Sequence, residues 1–133
     1  MNREIEFKGK RISNGKWVRG DLIIHPNHTG KEYYIHEHYS DTEYLVDERT
    51  IGQFIIMYDK HNIPIFEGDR VRCVYNGNVF EYIVVWDEDE LDFKFTNGEE
   101  NYGHNFIYPK SCDEYWNGSE YDIEVIGNVY DKE

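Results

Sequence analysis

Four Asn-Gly dipeptides punctuate the chain: Asn14-Gly15, Asn76-Gly77, Asn97-Gly98 and Asn117-Gly118. Both residue types accept positive φ, which a type I′ turn requires at both of its central positions. A chain marked in this way is constrained to fold back on itself in hairpins. Residues 8–13 and 16–24 flank the first dipeptide. Residues 70–75 and 79–86 flank the second and are rich in β-branched and aromatic side chains. The third follows residues 91–96. The fourth lies in a polar stretch and reads as an ordinary loop turn.

Alternation within these segments predicts strands with defined faces. Val71, Cys73 and Tyr75 point one way, and Arg70, Arg72 and Val74 the other. Leu91, Phe93 and Phe95 alternate with Asp92 and Lys94, and Ile123 and Val125 with Glu124. Phe80, Tyr82, Val84 and Trp86 share the face opposite Glu81. Ile83 and Val85 make the end of that segment apolar on both sides, which predicts a central or sandwiched strand. Helical signals reduce to one turn over residues 47–50, with Asp47 as N-cap leading into Ile51-Gly52-Gln53-Phe54. Residues 113–120 read as a loop or a single turn.

The expected fold is therefore all-β and mainly antiparallel. It has a barrel-like or half-barrel sheet, an N-terminal hairpin layer and at most one or two short helical turns. Residues 25–30 read as a loop, and residues 25–42 are the weakest segment. A subdivision there would leave a hairpin layer over residues 1–50 and a barrel unit over residues 51–133. In Glu67-Gly68-Asp69-Arg70-Val71, Gly68 permits a tight turn and Asp69 can bond nearby backbone N–H groups. Val71 then starts a buried face, an opening that resembles those of small SH3-like barrels.

Composition removes several alternatives. The 133 residues suit one domain, and a 17% aromatic content excludes a disordered acidic chain. No stretch approaches the roughly 18 apolar residues of a membrane helix, so no membrane partner is expected. The opening Met1-Asn2-Arg3-Glu4-Ile5-Glu6 lacks the apolar core of a secretory signal. Cys73 and Cys112 are too few for a disulfide framework, so a cytoplasmic protein with reduced thiols is expected.

The formal net charge is −13. Residues 1–20 hold six basic against two acidic side chains, and residues 86–133 hold three against 14. A body so negative repels phosphate backbones. The basic N-terminus reads as counter-charge for the remainder.

Each candidate chemistry has a plainer competitor. His36 and His38 flank Glu37 and would project from one strand face about 7 Å apart. With His25 or His28 they could ligate a metal, but solvated strand histidines are the expected reading. Cys73 reads as core. Cys112, beside Asp113 and Glu114, has acidic neighbours that oppose thiolate formation, against a dyad with His104. The run Asp87-Glu88-Asp89-Glu90 reads as a solvated turn and lacks the spacing of a calcium loop. No phosphate-binding glycine loop or nucleophile elbow is present. No catalytic residue, cofactor or metal is therefore expected. Tyr115 and Trp116, among Asp113, Glu114 and Glu120, would form an acidic aromatic patch suited to a basic protein partner or to self-association. Packing beneath a loop is the alternative for that pair.

Three blocks carry a wider resemblance. The first is Arg3-Glu4-Ile5-Glu6-Phe7-Lys8-Gly9-Lys10 with Gly15-Lys16-Trp17-Val18 and Gly20-Asp21. The second runs from Val46-Asp47 through Thr50-Ile51-Gly52-Gln53-Phe54 and Asp59-Lys60 to Ile65-Phe66-Glu67-Gly68-Asp69-Arg70-Val71. The third is Glu124-Val125-Ile126-Gly127-Asn128-Val129-Tyr130. In this order they resemble the YopX family of phages and prophages of Gram-positive bacteria.

The resemblance implies one YopX-like domain over residues 1–133, a mostly β fold and no established activity. It marks Gly52, Gln53, Asp59, Lys60, Glu67, Gly68, Asp69, Gly127 and Asn128 as signature residues, expected to fix turns and not to perform chemistry. The chain departs from the family at residues 54–58, where a Thr-Gly-Leu-type turn is usual. It departs again at Asp59-Lys60-His61-Asn62, which lacks the usual glycine and is expected to make a wider or longer turn.

The functional expectation is a non-enzymatic accessory protein in the bacterial cytoplasm. It would act on a protein partner, or on itself, through an acidic, aromatic-rich surface. The alternative is a nucleic-acid-binding β-barrel that uses the basic N-terminal strip and exposed tyrosines for stacking.

Overall fold

The computed structural model describes residues 5–75, 77–98, 106–107 and 122–131. Its strands are β1 (Phe7–Lys10), β2 (Trp17–Asn27), β3 (Gly30–His36), β4 (Glu43–Leu45), β5 (Gly52–Tyr58), β6 (Pro64–Phe66), β7 (Asp69–Tyr75), β8 (Asn78–Asp87), β9 (Asp92–Thr96), β10 (Phe106–Ile107) and β11 (Asp122–Asn128). They form two sheets, in the orders β4-β3-β2-β1-β5-β6 and β10-β9-β8-β7-β11. The registered pairs are antiparallel, and the protein is all-β. Among the described residues neither sheet closes into a barrel. The chain divides within β5 into two compact units, Met1–Ile56 and Met57–Glu133.

In the first unit the β1–β2 hairpin forms around Asn14-Gly15, but not as a two-residue turn. Lys10 pairs with Trp17, Arg11 N donates to Lys16 O, and Gly15 N donates to Arg11 O. Gly15 alone takes positive φ, while the Asn14 side chain accepts from Lys16 N at 3.0 Å. The tight turn of this unit lies instead in the segment expected to be a loop. Asn27 pairs with Gly30, so residues 25–27 belong to β2, and only His28 and Thr29 bridge to β3. Asn27 Oδ1 accepts from both Thr29 N and Thr29 Oγ1, which does locally what an Asn-Gly pair was expected to do elsewhere.

The first sheet curls until the end of β4 meets the end of β1. Arg11 bridges Val46, Ile12 N donates to Leu45 O, and Asp47 N donates to Lys10 O. Ile35 and Val46 are buried on the concave side, where Gly9 lets the strands approach; its missing Cβ would lie 3.2 Å from that of Val46. The only helical turn among the described residues is the 3₁₀ turn Glu48–Thr50, capped by Asp47 as the sequence predicts. Asp47 Oδ1 accepts from Arg49 N. The Arg49 guanidinium, 2.7 Å from Oδ2, holds the Asp47 carboxyl below its ordinary value.

In the second unit the expected two-residue hairpin is present. Tyr75 pairs with Asn78, which leaves only Asn76-Gly77 between β7 and β8, and Gly77 has φ 78°. β8 lies between β7 and β9, as its two apolar faces predict. Val71, Cys73, Tyr82, Val84, Phe95 and Ile123 are all buried, and each Val, Ile or Phe among them contributes on the order of 1.5–3 kcal/mol. Tyr82 stacks on Phe95 with centroids 6.4 Å apart.

Two expectations fail here. Leu91 does not continue the buried face of β9. It sits in the preceding turn at φ 55°, with 73% of its surface exposed. Nor is Asn97-Gly98 a two-residue turn between β9 and β10, since Thr96 pairs with Phe106; residues 99–105 lie outside the described residues. Asn117-Gly118 lies outside the described residues.

Candidate functional site

The signature residues gather mainly at one corner of the second unit. Asp59 ends the β5 ribbon and turns its carboxylate inward. Oδ1 accepts from His61 N at 2.8 Å and Ile63 N at 2.9 Å, and Oδ2 accepts from Val125 N at 3.0 Å. Lys60 N donates to Ile123 O. The Asp59–Lys60 turn therefore occupies backbone positions on the edge of β11 that β7 does not use. An exposed strand edge invites pairing with other chains, and this contact covers it. The Lys60 ammonium lies 3.4 Å from Asp122 and 3.5 Å from Glu124. Desolvation lowers the Lys60 pKa, but these two carboxylates outweigh it and hold the ammonium above its ordinary value.

Asp69 plays the matching part at the start of β7. Its carboxylate is buried, with Oδ2 accepting from Phe66 N at 2.8 Å and Oδ1 from Asn128 Nδ2 at 3.0 Å. Asn128 in turn accepts from Tyr130 N, while its own N–H donates to Asp131. Gly68 N donates to Val84 O, and Gly68 O accepts from Val129 N. Gly68 has φ 92°, and a Cβ there would lie 3.3 Å from Asn128 Nδ2, so both backbone and space select glycine. Gly127 faces Arg70 where the β11 register shifts. Glu67 lies half-buried in the turn before Gly68. All four carboxylate oxygens of Asp59 and Asp69 thus accept hydrogen bonds, from the backbone N–H groups of His61, Ile63, Val125 and Phe66 and from the Asn128 side chain. Gly52 and Gln53 lie in the first unit, opposite Lys8 and Phe7 on β1.

The histidines are arranged differently from expectation. His36 ends β3, and its Nε2 meets Ser40 O, whereas His38 lies in the following turn and does not share a strand with it. His38 Nε2 is 3.1 Å from Asp21 Oδ1, and Nδ1 is 3.5 Å from Glu6 Oε1. Glu6 is buried and also pairs with Arg19 Nε at 2.9 Å. His25 lies 3.6 Å from Glu43 and edge-on to Tyr34. Among the described residues no group of three or more ligating side chains is placed to hold a metal. Cys112, His104, Tyr115 and Trp116 lie outside the described residues.

The basic strip is engaged with aromatic rings that sequence reasoning did not pair with it. Lys8 and Lys10 lie 4.8 and 5.5 Å from the Trp17 ring, and the Arg11 guanidinium lies 4.2 Å from the Tyr44 ring. The signal was available: a hairpin closed near Asn14-Gly15 sets Trp17 opposite Lys10. Among the described residues no helix is long and apolar enough to cross a membrane.

The model of a family described as YopX protein matches residues 6–133. The chain belongs to the YopX family. No curated protein and no solved structure matches it.

Both segments that depart from the YopX pattern carry a residue other than glycine at positive φ. The Asp59–Asn62 turn is closed by hydrogen bonds at both ends. Asp59 N donates to Ile63 O, Asn62 N donates to Asp59 O, and Asn62 takes φ 62°, the conformation a glycine would take. Asparagine tolerates it better than most residues. Ile56, in the stretch where a glycine-bearing turn is usual, has φ 64° although it is β-branched. That conformation costs such a residue on the order of 1–2 kcal/mol.

Ile56→Gly is expected to raise stability by roughly 0.5–1 kcal/mol in chemical denaturation, the relief of strain exceeding the added chain entropy. A clear loss would refute the strain. Asn128→Asp places a second carboxylate against buried Asp69 and is expected to cost about 3–5 kcal/mol near neutral pH. Like charges raise the pair's proton affinity in the folded state. The deficit should therefore shrink as pH falls and the pair takes up a proton. A deficit independent of pH between about 4 and 7 would contradict the assignment.

Proposed function

We propose that this YopX protein acts by binding another protein, one with a basic surface, and not by catalysis. The observation that carries this reading is the division of charge between the units. Residues 1–56 hold eight basic and nine acidic side chains, a net of −1. Residues 57–133 hold six and 18, a net of −12. Asp59 and Asp69 are buried and bonded internally, whereas Glu81, Glu88, Asp89, Glu90 and Asp122 face solvent. A field of this sign steers a basic partner inward and repels phosphate. The same unit exposes Tyr58, Trp86 and Tyr130, residue types that anchor protein interfaces. A symmetric contact between two copies through this unit would set like charges together, which favours a different partner. On this reading the chain is a phage or prophage accessory protein in the bacterial cytoplasm, and its partner is a host or phage protein.

One observation favours single-stranded nucleic acid as a second reading: Lys8, Lys10 and Trp17 cluster on the β1–β2 hairpin. The two readings differ in their response to probes. Immobilised full-length protein is expected to retain a basic protein from bacterial lysate and to release it when NaCl is raised from about 0.05 to 0.3 M. Fluorescence anisotropy with labelled single-stranded oligonucleotides at low salt should stay flat. Salt-sensitive oligonucleotide binding with no protein retained would reverse the assignment.

A further inference from the structure

Four residues other than glycine take positive φ: Tyr39, Ile56, Asn62 and Leu91. Asn62 is of a type that tolerates this conformation. The other three are large and apolar, and all three are exposed, Tyr39 by 108%, Leu91 by 73% and Ile56 by 49%. Each is doubly unfavourable. The backbone would relax with glycine or asparagine, and the side chain gains only partial burial at Ile56, little at Leu91 and none at Tyr39. Strain of this kind persists where a residue serves a contact outside the fold.

Tyr39 and Leu91 sit at turns that hold them rigidly. Around Tyr39, Glu37 N donates to Thr42 O, Ser40 N donates to Glu37 O, and Thr42 N donates to Ser40 Oγ. His36 reaches Ser40 O, and His38, edge-on to the Tyr39 ring at 6.3 Å, is held against Asp21. Before Leu91, Asp87 Oδ1 accepts from Asp89 N and Glu90 N, and Asp87 pairs with Asp92 across the β8–β9 turn. Acids border both side chains in sequence: Glu37, Asp41 and Glu43 around Tyr39, and Glu88, Asp89, Glu90 and Asp92 around Leu91.

We propose that Tyr39 and Leu91 are apolar anchors, each displayed on a carboxylate-bordered turn for a partner-protein pocket that is apolar within and lined by Lys or Arg at its rim. This rests on the protein-binding reading above and adds where the contact is made. The two turns belong to different units, and each is a contact in its own right. Charge complementarity selects the occupant, because a basic rim is attracted by the bordering acids, an acidic rim is repelled and a neutral rim gains nothing from them. A turn whose backbone is already fixed leaves only side-chain rotamers to be ordered on docking, which lowers the cost of using a single exposed aromatic or aliphatic residue as an anchor.

The test uses the full chain with p-benzoylphenylalanine at position 39 or 91, cross-linked by light in bacterial cells alongside a lysine-directed cross-linker on unmodified protein. The captured protein is purified and titrated by calorimetry against the wild type, Tyr39→Asn and Leu91→Asn. Asparagine preserves charge and suits the positive φ. Each variant is therefore expected to bind at least about tenfold more weakly while melting at or above the wild-type Tm. Unchanged affinity in both variants would overturn the proposal. So would a Tm several degrees lower, which would mark the side chains as structural. If the lysine-directed reagent captures a basic partner that neither position 39 nor 91 reaches, the anchors fall and the protein-binding reading stands. If no partner is captured by any route, both fall.

Discussion

The buried carboxylate of Asp69 joins the beginning of the second unit's sheet to its end. Through Phe66 N it fixes the corner into β7, and through Asn128 it fixes the last residue of β11. The first contact is local, but Asn128 lies 59 residues from Asp69, and no local preference could bring those two together. Each would be a costly unpaired group without the other, because burial removes the water that would otherwise satisfy it. Asp59 repeats the arrangement at the opposite side of β11. Together they specify that β11 lies against β7, and the buried face of Val71, Cys73 and Ile123 depends on that pairing.

The same contacts explain why the sheets remain open and yet guarded. The Asp59–Lys60 turn takes hydrogen-bonding positions on β11 that another strand would otherwise use. In the first unit the end of β1 returns to the end of β4 through Arg11 and Val46. Edges treated in this way offer little template for strand addition. On the protein-binding proposal, contact with other macromolecules falls to side chains on turns and outer faces, where exposed acids and aromatics are found.

Much of the fold was legible in the residues. The alternation of Val71 and Cys73 with Arg70 and Arg72 gave the correct buried face. The doubly apolar β8 was central, and Asp47 capped the 3₁₀ turn Glu48–Thr50. Period and capping are local properties, and local properties survive into the native state when packing agrees with them. Turn geometry was less legible. Asn14-Gly15 did not form a two-residue turn, and His28-Thr29 did, because the cross-strand register was set by β2 pairing with β3 and not by the turn residues. Leu91 continued an alternating pattern on paper but fell one residue outside the β9 ladder, where its apolar side chain has no core to enter.

The candidate site divides along the same line. From the residues alone come the all-β class, the excess of acid and the turn-forming character of Gly68 and Asp69, since charge, φ tolerance and period belong to individual residues and near neighbours. Only the tertiary structure could show that Asp59 guards the edge of β11, that Arg11 meets the Tyr44 ring, and that Tyr39 and Leu91 stand exposed at positive φ. Those facts depend on which distant segments meet and on which backbone conformation their meeting enforces, and no window of sequence contains them.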